Sequence, residues 1–244
     1  MNIIKLTSIK FSDDLFSLEG ISKKTIEEHL KLYQGYVNKY NEINEKISKL
    51  TDEDYSTANQ VYSKLRELKT ELSFAWGGVI NHEMYFSHLG HKKGTTSSEP
   101  TGDLLKQVNK DFGSLGNYKK DLKATAMAAR GWVWTAWNSR EKRLFNYLGD
   151  SQNTFLVWGV KPILALDTYE HAYFIDFGAN RGGYIDAFIN NLNWEVITSS
   201  FQKVMNKCQC KNCQCEDGRC GKKCKCGEDC KCKKDKCQCD CQCG

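Results

Sequence analysis

The first 207 residues contain no cysteine, and all 13 cysteines of the 244-residue chain fall between Cys208 and Cys243. For the body of the protein, that absence argues against a secreted domain held by disulfides. Long apolar runs are missing too. No stretch approaches the ~20 residues that a membrane-spanning helix needs. The start, Met1-Asn2-Ile3-Ile4-Lys5-Leu6-Thr7, lacks the apolar core and cleavage site of a secretory signal. A cytoplasmic, reducing location with no membrane partner follows. Neither sign of charge dominates: 35 Lys and Arg against 30 Asp and Glu leave a formal net charge of +5, which is small for this length and does not by itself point to nucleic acid. Beyond Lys207 a different deficit appears. Residues 208–244 hold no Ala, Val, Ile, Leu, Met, Phe, Trp or Tyr. Such a tail cannot bury a core, so it is expected to be disordered unless crosslinks or metals order it.

The body, by contrast, carries all six tryptophans and every other aromatic of the chain, and its length suffices for a sizeable core. Residues 1–20 read as an extended lead-in. Ser22 then serves as an N-cap. From Lys23 to about Lys49, Ile26, His29, Tyr33, Tyr36, Val37 and Tyr40 recur at helical spacing, with His29, Tyr33 and Tyr36 on one face. A second helical stretch runs from about Asp52 through Leu72, and Phe74 to Leu89 reads as its continuation or a kinked third helix. Within it, Gly77-Gly78 marks either a close backbone approach or a bend. These stretches make an antiparallel helical hairpin. His91 to Gly102 is a loop and the internal domain boundary.

Two helices are expected over residues 103–129. Gly131 to Trp137 is an aromatic, β-branched strand, Arg143 to Leu148 its hairpin partner and Ile163 to Asp167 a third strand. Helices at roughly Tyr184–Asn191 and Trp194–Val204 close the body. The fold class is α+β: a helical hairpin (1–95), then a domain with a small three-stranded antiparallel sheet and flanking helices (96–206), then the cysteine-rich tail (207–244).

The strand ending at Asp167 delivers a carboxylate, and His171 follows four residues later. A sharp turn would aim both at one point, and such ligands suit Mn or Fe as well as Zn. Alone the pair says little, because a surface aspartate and a satisfied core histidine are common. His82, in the apolar run Trp76 to Phe86, and His29, on the first helix, admit the same alternative reading as hydrogen-bonded core histidines. His88, at a helix end, and His91, in a loop, are given that reading.

Taken together, four pieces resemble the iron/manganese superoxide dismutase family over nearly all of residues 1–206. They are Glu28-His29 with Gln34-Gly35-Tyr36-Val37-Asn38, then Asn81-His82, then Gly131-Trp132-Val133-Trp134, and Asp167-x-x-Glu170-His171-Ala172-Tyr173. The resemblance implies that His29, His82, Asp167 and His171 bind one Mn or Fe ion, with a solvent molecule completing five-coordination, and that the substrate is superoxide. It implies an outer glutamine that tunes the reduction potential. Gly78 stands four before His82, as in manganese-type members, and Gln152 matches the other source of that glutamine, which favours Mn.

By the same resemblance Tyr36 is a gateway tyrosine that relays protons. Glu170 reaches across a two-fold interface to the other subunit's His171, which implies a homodimer. Tyr173 belongs to the same interface motif, Trp132 and Trp134 wall the pocket, and Arg181 attracts the anion.

Three departures from the family pattern stand out. His29 to Tyr36 is one residue short, so a π-type bulge common there is expected to be missing. A usual outer histidine is absent from that stretch, with Tyr33 near its place. Tyr169 and Phe86 stand where tryptophans are usual.

The tail's cysteines are Cys208, Cys210, Cys213, Cys215, Cys220, Cys224, Cys226, Cys230, Cys232, Cys237, Cys239, Cys241 and Cys243. Repeated C-x-C spacing places thiolates too close for easy mutual disulfides but suits bridging of soft ions. This tail resembles a metallothionein. About three to four divalent ions would satisfy its thiolates, selecting Zn, Cd or Cu(I) over Mn. Without a stacking aromatic, the tail makes a poor nucleic-acid module. Two functions remain: a dismutase fused to a thiolate metal store, or a metal-sequestering protein whose body has little activity.

Overall fold

The computed structural model describes residues 4–90, 99–154 and 157–205. Helix α1 (Lys23–Ser48) begins where Ser22 caps it, its side chain accepting the Thr25 N–H at 3.2 Å. It runs as unbroken α-helix past His29 and Tyr36, with no wider turn, in keeping with the short His29–Tyr36 spacing. The lead-in is not wholly extended: Ser12 caps a 3₁₀ turn at Asp13–Ser17.

The second helical stretch is broken where the periodicity reads as continuous. Helix α2 (Asp52–Ser56) is a single capped turn, and α3 (Lys64–Ser87) starts afresh at Ser63. Ser56 and Thr57 both turn their hydroxyls back onto the Glu53 carbonyl, which competes with helix propagation, and the Ser63 side chain accepts from Arg66 N. Past that break α3 continues without interruption through Gly77-Gly78, and the glycines mark a close approach to Gln152 and Tyr36. Helices α1 and α3 pack along their length as the hairpin. Ile43, Ile47, Leu68 and Ala75 form a separate small core at its far end.

Helices α4 (Gly102–Phe112) and α5 (Leu115–Ala128) lead into strands β1 (Trp132–Asn138), β2 (Arg143–Gly149) and β3 (Val160–Asp167). The sheet is antiparallel with order β2-β1-β3. Central β1 is buried over six successive residues, because α3 and α8 cover β3 while α4 and α5 cover β2. That is why it reads as a continuous apolar run rather than an alternation. Strand β3 starts earlier than its apolar run suggests and takes in Pro162, tolerated on an edge strand opposite the irregularity at Thr135/Ala136.

A 3₁₀ turn (Glu170–Ala172) and the one-turn helix α6 (Phe174–Phe177), both unforeseen from the sequence, connect to α7 (Arg181–Asn190) and α8 (Trp194–Met205). Helix α6 ties the two halves together: Asp176 Oδ2 accepts from Ser22 N and Thr25 Oγ1, each at 2.7 Å, at the start of α1. A carboxylate at a helix N-terminus is favoured by the helix dipole. No helix among the described residues is long and apolar enough to cross a membrane. His91, most of the boundary loop and the whole cysteine-rich tail lie outside the described residues.

Candidate metal centre

Asp167 ends β3, and its Oδ2 is the point on which three imidazoles converge. His29 Nε2 and His171 Nε2 each lie 3.1 Å from it, and His82 Nε2 lies at 3.7 Å. One donor atom from each of the four residues falls within 4.8 Å of all the others. Donors bound at about 2.1 Å to one ion are separated by roughly 3–3.5 Å at common coordination angles, so this spacing fits a shared ion.

The approach of each side chain has a local cause. His29 projects from α1 and His82 from α3, whose packing makes the hairpin. Beyond Asp167, Thr168 anchors to Gly131 O through both N–H (2.8 Å) and Oγ1 (2.9 Å), and Tyr169 N bonds back to Asp167 Oδ1 at 2.9 Å. That aspartate-based turn leads into the Glu170–Ala172 3₁₀ turn and swings His171 back over the strand end.

His82 is also held in metal-binding form. His82 Nδ1–H donates to Gly78 O at 2.6 Å, which leaves the Nε2 lone pair facing Asp167, buried and without a protein partner. An orphaned buried polar atom costs about 1–3 kcal/mol, and an ion at this point would satisfy it. Burial pushes the His82 pKa down to about 3, with the neighbouring His29 adding to the fall, and burial likewise lowers that of His29. For Asp167 burial acts in the opposite sense, yet hydrogen bonds from His171 and His29 outweigh it and hold the carboxyl below the ordinary range.

Residues 13–90 match the alpha-hairpin domain of iron/manganese superoxide dismutases, and residues 100–200 match the C-terminal domain of the same enzymes. The chain belongs to the iron/manganese superoxide dismutase family. It is 44% identical over 192 residues to the superoxide dismutase [Fe] of Aquifex pyrophilus, spanning 78% of this chain and 88% of that protein. The superoxide dismutase [Fe] of Aquifex aeolicus matches to the same extent. Superoxide dismutase [Mn] 1 of Halobacterium salinarum is 31% identical over 177 residues, 72% of this chain and 83% of the relative.

Around the four donors, the chain holds an ordered shell of amides and indoles. Trp132 and Trp134, two apart on β1, project to one face. Trp132 Nε1 donates to Gln152 Oε1 at 3.0 Å and Trp134 Nε1 to Asn81 Oδ1 at 3.2 Å. An indole can only donate, so each amide's orientation is decided. Gln152 must present its Nε2 to Tyr36 Oη, at 3.1 Å, and Asn81 its Nδ2 to Gln152 O, also at 3.1 Å. Tyr36 therefore accepts from Gln152, and its own O–H is left to donate elsewhere; burial raises its pKa.

Gly77 and Gly78 make room for this shell. A Cβ on Gly78 would strike the Tyr36 ring, and one on Gly77 would strike the Gln152 backbone. The sequence signal for Asn81 and Gly77 is their place beside His82 and Gly78.

The remaining expected residues sit as follows. The Tyr169 ring stacks on His171 with centroids 5.2 Å apart, and Phe86 meets His29 edge-on at 4.9 Å. Tyr33 accepts from Ile9 N at 3.0 Å and donates to Glu83 at 2.9 Å, so it ties the lead-in to α3. Burial pushes its phenol up to about 12. Arg181 donates to Ala129 O at 2.8 Å and to Tyr173 Oη at 3.3 Å, and lies over the Tyr173 ring. Glu170 is exposed beside His171, whose side chain is 28% exposed.

His88 lies apart from this cluster, buried at the end of α3, with its Nδ1 unpartnered. Burial lowers its pKa to about 4 from an ordinary 6.5. The folded chain holds it neutral while the unfolded chain protonates it, so its stabilising effect is complete above pH 6.5 and is lost as pH falls toward 4. The loss is about 3 kcal/mol at most. In urea melts across that window, His88→Leu is expected to flatten the pH dependence relative to wild type; parallel curves would refute this.

Proposed function

We propose that the chain disproportionates superoxide to O₂ and H₂O₂ with one Mn or Fe ion held by His29, His82, Asp167 and His171. The observation that carries this reading is the convergence of three imidazole nitrogens on one buried carboxylate oxygen. Bound there, the ion would supply a one-electron couple between its +3 and +2 states, the redox chemistry that superoxide disproportionation requires.

The chain's own groups do the rest. Trp132 holds Gln152, and Gln152 in turn donates to Tyr36 Oη, so the Tyr36 proton stays available at the mouth of the site for the peroxide being formed. The Trp132 ring against His82 and the Phe86 ring against His29 and His82 keep bulk water from the donors. Arg181, tethered by Ala129 and Tyr173, adds positive charge near the approach. Gly78 with Gln152 favours Mn, although the Aquifex relatives carry iron in their names. Exposed Glu170 beside His171 supports a homodimer in which it pairs with the partner's imidazole. The division into 1–95, 96–206 and 207–244 and the cytoplasmic location belong to the same proposal, the latter supported by the cysteine-free body.

Stripping the chain of metal and reloading it separately with Mn, Fe or Zn tests the reading. Superoxide removal should return with Mn or Fe and stay at background with Zn; activity that survives in the stripped protein would overturn it.

The cysteine-rich tail, Cys208 to Cys243, is proposed to hold Zn, Cd or Cu(I) and keep them from the Mn/Fe site. Deleting residues 207–244 should then lower Mn or Fe occupancy when the protein is refolded in excess Zn. Unchanged occupancy by elemental analysis would remove the protective role.

A further inference from the structure

Asp167 is pinned through all three of its oxygens. Its carboxylate takes Tyr169 N on Oδ1 and faces His29 and His171 with Oδ2, while its main-chain O accepts from Tyr184 Oη at 2.8 Å. The last contact follows from the sheet. In an antiparallel ladder, hydrogen-bonded pairs alternate with non-bonded ones. Thr168 N bonds to Gly131 O, so the adjacent pair Trp132↔Asp167 is non-bonded, and the Asp167 carbonyl points away from β1. Because β3 is an edge strand among the described residues, no neighbouring strand among them meets that carbonyl, and the residue is fully buried. A phenol from α7 takes the place of the missing strand.

Tyr184 Oη also lies 3.2 Å from Tyr85 Oη. A phenol has one proton and a carbonyl can only accept, so the order is settled: Tyr85 donates to Tyr184, and Tyr184 donates to Asp167. Tyr85 stands one turn beyond His82 on α3, and its ring lies 5.0 Å from that of His29. The line of hydroxyls therefore joins both halves of the molecule at the donor cluster.

We propose that Tyr184 is a positioning residue for the metal centre, fixing the strand end that aims the Asp167 carboxylate, with Tyr85 orienting the Tyr184 hydroxyl. The proposal rests on reading Asp167 as a metal ligand.

The donor order makes the two tyrosines unequal. Tyr184→Phe strips the Asp167 carbonyl of its donor and also leaves the Tyr85 proton without an acceptor. Tyr85→Phe leaves only an unfilled lone pair on Tyr184, a far smaller loss. In the full-length chain loaded with Mn or Fe, Tyr184→Phe is expected to weaken metal retention against a chelator about tenfold or more. It should also shift the visible absorption of the oxidised ion. Tyr85→Phe is expected to stay within about threefold, with an unshifted band, and the double variant to be no weaker than Tyr184→Phe alone.

Equal metal retention and an unchanged band in Tyr184→Phe would overturn the proposal, even with a lowered melting temperature, since that pattern reports packing alone. A larger effect from Tyr85→Phe would overturn the donor order. Failure of the parent reading looks different: wild type itself would then hold no Mn or Fe, or would hold it as well after Asp167→Asn.

Discussion

Replacing His171 with alanine is expected to reduce superoxide removal to background while the chain stays folded. His171 offers one of the four convergent donors, and its Nε2 supplies one of the two 3.1 Å contacts to Asp167 Oδ2. Losing a ligand outright should cost more than the 10–100-fold in metal affinity typical of losing an outer partner. Stability should change little, because the side chain is 28% exposed and sits in a short 3₁₀ turn rather than in the core. Elemental analysis should find less Mn or Fe bound to His171→Ala, with a far-ultraviolet spectrum like wild type. Equal activity in the two proteins would end the enzyme reading of these four residues.

Gly77→Ala carries the second large effect, with a sign opposite to the usual one. In an exposed helix interior, alanine for glycine stabilises by about 1 kcal/mol. Here the added methyl would lie 2.8 Å from the Gln152 carbonyl carbon and closer still to its oxygen. Backbone cannot swing aside as a side-chain tip can, so overpacking should win by roughly 3 kcal/mol, lowering the melting temperature by about 6–12 °C. The displaced segment carries the Gln152 contacts to Tyr36, Trp132 and Asn81, so the catalytic rate should fall with it. A melting temperature at or above wild type would show that the close approach is not there in solution.

These outcomes depend on features that differ in how far they can be read from the chain. The first helix, with its Ser22 cap and His29/Tyr33/Tyr36 face, follows from periodicity and one capping residue, both local. So do the β1–β2 hairpin and the strand ending at Asp167. The break between α2 and α3 was hidden because the hydroxyls of Ser56 and Thr57 cap backward within a pattern that still looks helical. The one-turn α6 is too short to show a period, yet its Asp176 latches α1 to the second half.

The four donors became visible through the ordered motifs of a family, since aspartate and histidine four apart mean little in isolation. Gly77 looked like a hinge or a close approach, and nothing local distinguishes the two. Tyr85 and Tyr184, 99 positions apart, gave no sign of a shared line of hydroxyls.

Composition and order by themselves determined the α+β layout, the cysteine-free body with its thiol-rich tail, and the residue types available at the centre. Only the tertiary structure decided which of those residues meet. The convergence of the His29, His82 and His171 nitrogens on Asp167 Oδ2, and the orientation of Gln152 by an indole from β1, depend on packing between α1, α3 and the sheet. The physical reason is range: helix caps and side-chain periods act over a few residues, whereas hydrogen-bond direction at a buried amide or carbonyl is set by whichever distant group packing brings within about 3 Å.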